Sequence, residues 1–277
     1  MLRPSDTMLA GKVAVVTGGG EGIGKGISTT FAAFGAKVVV SEINPQRANS
    51  TVAEIKSDGG DAIASIVDVR NEVEVEKMAE LAYSAYGHVD ILVNNVGDSF
   101  FLRKEFLDNT LAEWDALYNI NLRHVFLCTR AVVPKMIARG KGGSIINIST
   151  VEAFRGIPGG AVYSAFKGAI TSFSKSLALE LGWHHIRVNT IAPDKTQTEM
   201  TRYDKRFPPE VRHMIPVWIP IGKIAMPDDI AGVALFLASD LSAFVTGTTV
   251  HADGGTLAAG GWYRKEDGTW TNTPAKI

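Results

Sequence analysis

The chain has 277 residues, 45% of them hydrophobic and 21% charged, and a formal net charge of −1. Such a chain suits one large α/β domain with a sizeable core, and the values are not those of a disordered or fibrous protein. The near-neutral balance without a basic run excludes electrostatic nucleic-acid binding, and no apolar run approaches the ~18 residues needed to span a bilayer.

Met1 to Gly11 lacks a charged head, apolar core and small-residue cleavage site, so no secretory leader is expected. A lone cysteine, Cys128, has no partner for an internal disulfide and reads as packing in a helical pattern. The expectation is a cytoplasmic protein with no membrane association.

Residues 12–17 contain an apolar run, Val13 to Val16, and read as a strand. Thr17-Gly18-Gly19-Gly20-Glu21-Gly22-Ile23-Gly24 follows and leads into a helical pattern over 22–34. Strand, glycine turn and helix start in that order build a site for a dinucleotide pyrophosphate. Glycines let the backbone approach the phosphates, and the helix's unpaired amides face the negative charge. Taken alone, the motif also fits a glycine-rich turn without a ligand.

Strands over 36–41 and 62–67 precede helices over 45–58 and 72–86, and a strand over 90–94 precedes a long helix over 111–138. Strands over 144–149 and 186–191 bracket a helix over 160–181, and a helix over 228–239 precedes a last strand over 248–252. Strands apolar on both faces, alternating with helices, predict an α/β fold. The expected architecture is a doubly wound, Rossmann-like parallel sheet of about seven strands, with helices on both faces. It forms a single domain over 1–277, with its crevice at the carboxyl ends of the strands.

Two segments break the rhythm. Residues 195–220 hold Pro208, Pro209, Pro216 and Pro220 among Met214, Val217, Trp218 and Ile219, and read as a substrate lid or as a loop folded onto its own apolar residues. The tail over 260–277 carries Trp262, Tyr263 and Trp270, which are costly to expose, so it is expected to dock on its own subunit or a neighbour.

Tyr163 and Lys167 stand four apart on a helical segment and share a face. A phenol with a pKa near ~10 is a poor acid–base catalyst at neutral pH, but a fixed ammonium beside it favours the phenolate. Alone, such a pair also fits an exposed helix surface.

Its company is more specific. The glycine turn is followed by Asn94-Asn95-Val96-Gly97, Asn119-Ile120-Asn121-Leu122, Ser149-Thr150 and Tyr163-Ser164-Ala165-Phe166-Lys167, in that order. Val188-Asn189-Thr190-Ile191-Ala192-Pro193 and His251-Ala252-Asp253-Gly254-Gly255 complete the series. With these motifs in register, the chain resembles the short-chain dehydrogenase/reductase family from about Lys12 to Gly255.

The resemblance implies roles. Tyr163 would be the general acid–base, Lys167 would hold the nicotinamide ribose and depress the tyrosine's pKa, and Asn121 would anchor a relay water. The hydroxyl that steadies the substrate oxygen is normally a serine thirteen positions before the tyrosine, which here is Thr150, with Ser149 as the alternative. Gly18, Glu21, Gly22, Ile23, Gly24, Asn95, Gly97, Thr196 and Thr198 would bind the cofactor, and Asp68-Val69 would meet its adenine. Glu42 at the end of the second strand can accept bonds from the adenosine ribose and would repel a 2′-phosphate. Glu21 adds negative charge, so the expected cofactor is NAD, with Arg47 the one nearby counterargument. No metal is expected, because the six histidines lack ligand spacing.

The chain also departs from the family pattern. Val96 and Phe166 replace smaller residues, and Asp194 stands where glycine is common. A carboxylate near the nicotinamide would favour NAD⁺ and alcohol oxidation; alternatively Asp194 pairs with Lys195 or faces solvent. The expected function is an NAD-dependent alcohol dehydrogenase acting on a bulky hydrophobic secondary alcohol or ketone. Hydroxysteroids, alicyclic alcohols or cis-dihydrodiols would fit beside Met214, Val217, Trp218, Ile219, Phe100, Phe101 and Phe154. A 3-oxoacyl thioester reductase is the alternative, and a non-catalytic nucleotide-binding sensor or scaffold is the rival of another class. The family resemblance implies a homotetramer.

Overall fold

The computed structural model describes residues 3, 8–100, 102 and 104–272. Seven strands hydrogen-bond in parallel in the order β3-β2-β1-β4-β5-β6-β7. They are Val13–Thr17 (β1), Lys37–Glu42 (β2), Asp61–Ile66 (β3), Ile91–Asn94 (β4), Gly143–Ile148 (β5), Ile186–Pro193 (β6) and Thr249–Ala252 (β7). Each lies within two residues of its expected span, because a strand covered on both faces must be apolar throughout.

The period-2 alternation of the strands sorts the core into two layers. Ala14, Val16, Val38, Val40 and Ile146 pack with Ile27 and Phe31 of Gly22–Ala33 (α1), Val52 and Ile55 of Pro45–Ser57 (α2), and Ile230, Ala234 and Leu237 of the helix at Pro227–Ala238. Val15, Val39, Leu92 and Ile145 face the other way, onto Met78 of Glu72–Tyr86 (α3), Val132, Met136 and Ala178. Cys128 lies in this second layer at 0% exposure, and burial pushes its thiol up to about 12, so the packing role expected for it is the one it has.

The helix expected over 111–138 is interrupted. Leu111–Tyr118 (α4) passes through a π-turn at Asn119–Arg123 into His124–Arg139 (α5). A π-turn inserts a residue into the helical ladder and breaks the pairing of backbone groups there, and such turns gather at functional sites. Here it falls on Asn121. Ala161–Leu181 (α6) carries Tyr163 and Lys167 on its first turns.

The 195–220 segment holds two short helices, Tyr203–Arg206 (α7) and Ile215–Trp218 (α8), before Pro227–Ala238 (α9). Beyond β7 come Thr256–Ala259 (α10) and a hairpin of Tyr263–Arg264 (β8) against Trp270–Thr271 (β9). This hairpin docks on its own chain: Tyr263 meets Trp218 of α8 edge-on, with ring centroids 5.7 Å apart. No helix among the described residues is long and apolar enough to cross a membrane.

Candidate active site

A cleft of about 440 Å³ runs along the carboxyl ends of β1, β2, β4, β5 and β6, where a doubly wound sheet leaves its crevice. Gly18, Glu21, Gly22, Ile23, Glu42, Asp68, Val69, Asn95, Gly97, Ser149, Thr150, Tyr163, Lys167, Thr196 and Thr198 all line it. Of the catalytic and cofactor-binding residues expected from the sequence, Gly24 and Asn121 do not line it.

The glycine turn is shaped by backbone limits. Gly18 and Gly22 have φ of 62° and 54°, where a side chain is strained. A Cβ on Gly24 would lie 2.0 Å from the Gly18 carbonyl oxygen, so this residue closes the turn onto the helix. Asn95 locks it from the side: its amide Nδ2 donates to the Thr17 carbonyl at 3.0 Å, and its backbone N–H donates to Thr17 Oγ1 at 3.0 Å. Glu21 at the N-cap of α1 makes no capping bond with its side chain. The first-turn amides therefore face the cleft as an anion cradle. Glycines at the points of closest approach and uncapped amides beside them fit a nucleotide pyrophosphate.

At the adenosine end, Glu42 is buried and accepts from the Asn44 N–H at 3.1 Å. Glu21 bonds Arg47 at 2.5 Å. Burial, followed by the charges of Glu199 and Glu42, raises the Glu21 carboxyl above its usual range against the pull of Arg47. Glu21, Glu42 and Glu199 thus gather at this end, with Arg47 paired to Glu21. Asp68 is gripped by Arg70 through contacts of 2.6–3.1 Å, and those bonds hold its carboxyl below the usual range. Sequence reading did not foresee this pairing, although Arg70 stands two residues on.

At the other end, Lys167 is 3% exposed and its Nζ donates to the Ile148 carbonyl at 3.1 Å. Burial pushes its ammonium down to about 8, with Asp98 pulling the other way. Gly97 makes room for it, since a Cβ there would lie 2.5 Å from Nζ. Asn121 spends its side chain on the loop after β4: Oδ1 accepts from the Asp98 N–H at 3.2 Å, and Nδ2 donates to the Asp98 carbonyl at 2.7 Å. One helical turn on, His124 is fully buried and neither ring nitrogen makes a well-formed hydrogen bond. Burial, then the Lys167 ammonium, pushes its imidazole down to about 3, while Val96's backbone pulls weakly upward.

The two neighbouring hydroxyls differ. Ser149 Oγ donates to the Lys167 carbonyl at 2.8 Å and is committed to α6. Thr150 Oγ1 is held loosely, donating to the Pro193 carbonyl at 3.4 Å and accepting from the Glu152 N–H at 3.3 Å.

The departures find their places too. Phe166 packs on Tyr118 of α4 with ring centroids 5.7 Å apart. Asp194 lines the cleft but is not an isolated charge. Its Oδ2 accepts from Arg155 Nη2 at 3.0 Å and Thr256 Oγ1 at 2.6 Å, with Lys195 Nζ at 3.5 Å. Pairing with Lys195 is thus only part of its surroundings, and the oxidation bias expected of a bare carboxylate loses its basis. Nothing in the sequence signalled Arg155.

The lid side chains also differ from expectation. Met200, Thr201 and Tyr203 line the cleft, whereas Met214, Val217, Trp218 and Ile219 do not. Trp218 is occupied by Tyr263, and Ile219 is buried. Phe154 packs edge-on against His251, with centroids 4.6 Å apart. Phe100 is 39% exposed beside the cleft loop, and Phe101 lies outside the described residues.

A glycine-turned crevice with a buried lysine and a tyrosine on one wall defines a dinucleotide-dependent oxidoreductase fold. The family model described as enoyl-(acyl carrier protein) reductase matches residues 18–256. The chain belongs to the short-chain dehydrogenase/reductase family. It is 37% identical over 250 residues to a 3-oxoacyl-[acyl-carrier-protein] reductase of Thermotoga maritima, covering 89% of this chain and 98% of that one. It is 38% identical over 247 residues to a 2,5-dichloro-2,5-cyclohexadiene-1,4-diol dehydrogenase of Sphingobium indicum, covering 89% and 96%. A 7α-hydroxysteroid dehydrogenase solved with NADH and 7-oxo glycochenodeoxycholic acid superposes with a TM-score of 0.85. That structure is 38% identical and covers 92% of this chain and 98% of its own.

Proposed function

We propose that this chain is an NAD-dependent oxidoreductase that interconverts a secondary alcohol and a ketone, the substrate being bulky and largely apolar. The observation that carries the reading is a buried lysine sharing the cleft wall with Tyr163, in the same cleft as a glycine turn shaped for a dinucleotide. The acidic cluster of Glu21, Glu42 and Glu199 supports NAD over its phosphorylated relative. Similarity to the hydroxysteroid and cyclohexadienediol dehydrogenases supports an alicyclic alcohol.

Gly18, Gly22, Ile23 and the amides of α1 would hold the pyrophosphate, with Gly24 shaping the turn and Asn95 locking it. Glu42 would hold the adenosine ribose, and Asp68 and Val69 would border the adenine. Gly97 and Thr196 would flank the nicotinamide half, and Thr198, beside Gly22, would meet the carboxamide or the phosphates. Bound there, the cofactor accepts or supplies a hydride. Tyr163 takes the hydroxyl proton as phenolate during oxidation and returns it during reduction. Lys167 stabilises that phenolate and holds the nicotinamide ribose, while Asn121 fixes the loop above Gly97 and anchors the proton path to solvent. Thr150 steadies the substrate oxygen through a hydroxyl that can donate and accept. Met200 and Tyr203 supply surface for the substrate.

The decisive test is a panel of hydrophobic secondary alcohols with NAD⁺, followed at the reduced-nicotinamide absorbance. Turnover lost in Tyr163→Phe with cofactor binding intact is the expected result. Cofactor binding without turnover across the panel would instead favour a nucleotide sensor. The similarity to the Thermotoga reductase favours a second reading, reduction of a 3-oxoacyl thioester, and a higher kcat/KM for acetoacetyl thioesters than for any alcohol or ketone would select it.

We assign the protein to the cytoplasm, consistent with a single buried cysteine. We also propose a homotetramer: Trp183 and Phe244, at 91% and 104% exposure, are large apolar groups that association would cover. Light scattering behind a sizing column tests the assembly.

A further inference from the structure

Asp194, standing where the family commonly has glycine, sits at a junction of the fold. Asp194 directly follows β6 and opens the 195–220 segment. It is 8% exposed, and its Oδ2 collects contacts from three directions. Arg155 reaches it from the loop after β5 at 3.0 Å, Thr256 from α10 at 2.6 Å, and Lys195 from the lid base at 3.5 Å. Arg155 also grips Glu152 at 3.1 and 3.3 Å.

Glu152 connects this cluster to the chemistry. Its backbone N–H donates to Thr150 Oγ1 at 3.3 Å, and its backbone carbonyl accepts from Ser164 Oγ, next to Tyr163. Asp253 holds the far side, accepting from the Gly255 and Leu257 N–H groups at 2.9 and 2.8 Å and so fixing the turn that presents Thr256. Two acids, Asp194 and Glu152, pair with two bases, Arg155 and Lys195, while Asp253 is bonded to backbone N–H groups and the Thr256 hydroxyl. Removing Arg155 leaves Glu152 without its ion pair, and removing Asp194 leaves Lys195 without its own.

We propose that Asp194 and Arg155 form an ionic clasp that positions Thr150 and fixes the base of the lid segment over the substrate end of the cleft. They are positioning residues; the clasp ties the carboxyl ends of β5 and β6 to the helix after β7. A glycine after Pro193 cannot make this tie. The lid base is therefore held by charge, while its outer helix α8 is held by the Trp218–Tyr263 contact. The catalytic part of this inference rests on the proposed dehydrogenase reading, and the lid part does not.

The test uses the full chain with two readouts: steady-state kinetics on the best alcohol, and the rate of limited proteolysis within 195–220. Asp194→Asn and Arg155→Gln are expected to raise KM for the alcohol and lower kcat/KM by roughly 10- to 100-fold, the scale set by an ångström of misplacement. Cofactor affinity should change by less than about threefold, because the pyrophosphate cradle is separate from the clasp. Cleavage in the lid should quicken in both variants. Arg155→Lys, which keeps the charge, should lie closer to wild type than Arg155→Gln, and the double variant should be no worse than the poorer single one.

Thr256→Val removes one bond without unpairing a charge, and keeps the question open to measurement should the charge variants fold poorly; it is expected to quicken cleavage by a smaller factor. Kinetics and cleavage within about twofold of wild type in all these variants overturn the clasp, as does Arg155→Lys behaving no better than Arg155→Gln. Loss of the dehydrogenase reading shows separately, as turnover that survives Tyr163→Phe, while the proteolysis still judges the clasp.

Discussion

The two ends of the cleft are built by different means. The nucleotide end is set by backbone: a glycine turn with φ of 62° at Gly18, a helix start, and strand ends in fixed register, as in Thr17 opposite Ser41. The substrate end is set by side chains that meet across long sequence separations. Arg155 and Asp194 are paired from different loops, and Asn121 holds the backbone at Asp98. Backbone construction tolerates little change of residue type, because the forbidden regions of φ and ψ are steric. Side-chain construction can be rewired by a few substitutions, which leaves substrate choice adjustable on a constant cofactor cradle.

The largest effect is expected at the substrate end. Tyr163→Phe should lower kcat by roughly 10³-fold, about 4 kcal/mol, with cofactor affinity nearly unchanged in a fluorescence titration. Near-normal turnover would remove the phenol from the reaction. At the nucleotide end, Gly24→Ala places a methyl 2.0 Å from the Gly18 oxygen and 2.6 Å from Asn95 Nδ2. A loss of about 3 kcal/mol of stability is expected, together with weakened nucleotide binding. A variant that melts and binds like wild type would show that the turn is softer than its geometry implies.

His124 offers a third probe, from behind the lysine. Its folded pKa, about 3, lies below the 6.5 of an exposed imidazole. The unfolded chain therefore binds more protons between those values, and stability is lost as pH falls through that window. Denaturant titrations should show His124→Leu gaining on wild type by on the order of 2–3 kcal/mol between pH 6.5 and pH 4. A constant difference across that range would mean the ring is already charged or hydrated.

The smallest effect concerns cofactor choice. Glu42→Gln should shift the ratio of NAD to NADP affinities by about tenfold toward NADP, ~1.4 kcal/mol, measured by competitive titration. No change would move the selectivity to Glu21 and Glu199.

Most of the nucleotide end was legible in the residues, since Thr17 to Gly24 and the strand ends carry their geometry locally. The residues expected to bind the cofactor lie along one cleft, except Gly24, which shapes it from beneath. The interruption at 119–123 was not legible, because apolar periodicity continues through a single inserted residue. Nor was the fate of the lid's apolar residues: Trp218 looks equally suited to a substrate or to the hairpin that holds it.

By itself the sequence determined the layered sheet, the position of its crevice and the family, because period-2 burial, glycine sterics and motif order act over short stretches of chain. Tertiary structure alone decided which charges meet. Asp194 could have faced a nucleotide, Lys195 or water; it is held between Arg155 and Thr256 because β5, β6 and β7 deliver their following loops to one place. Such pairings depend on distances that spacing along the chain does not encode.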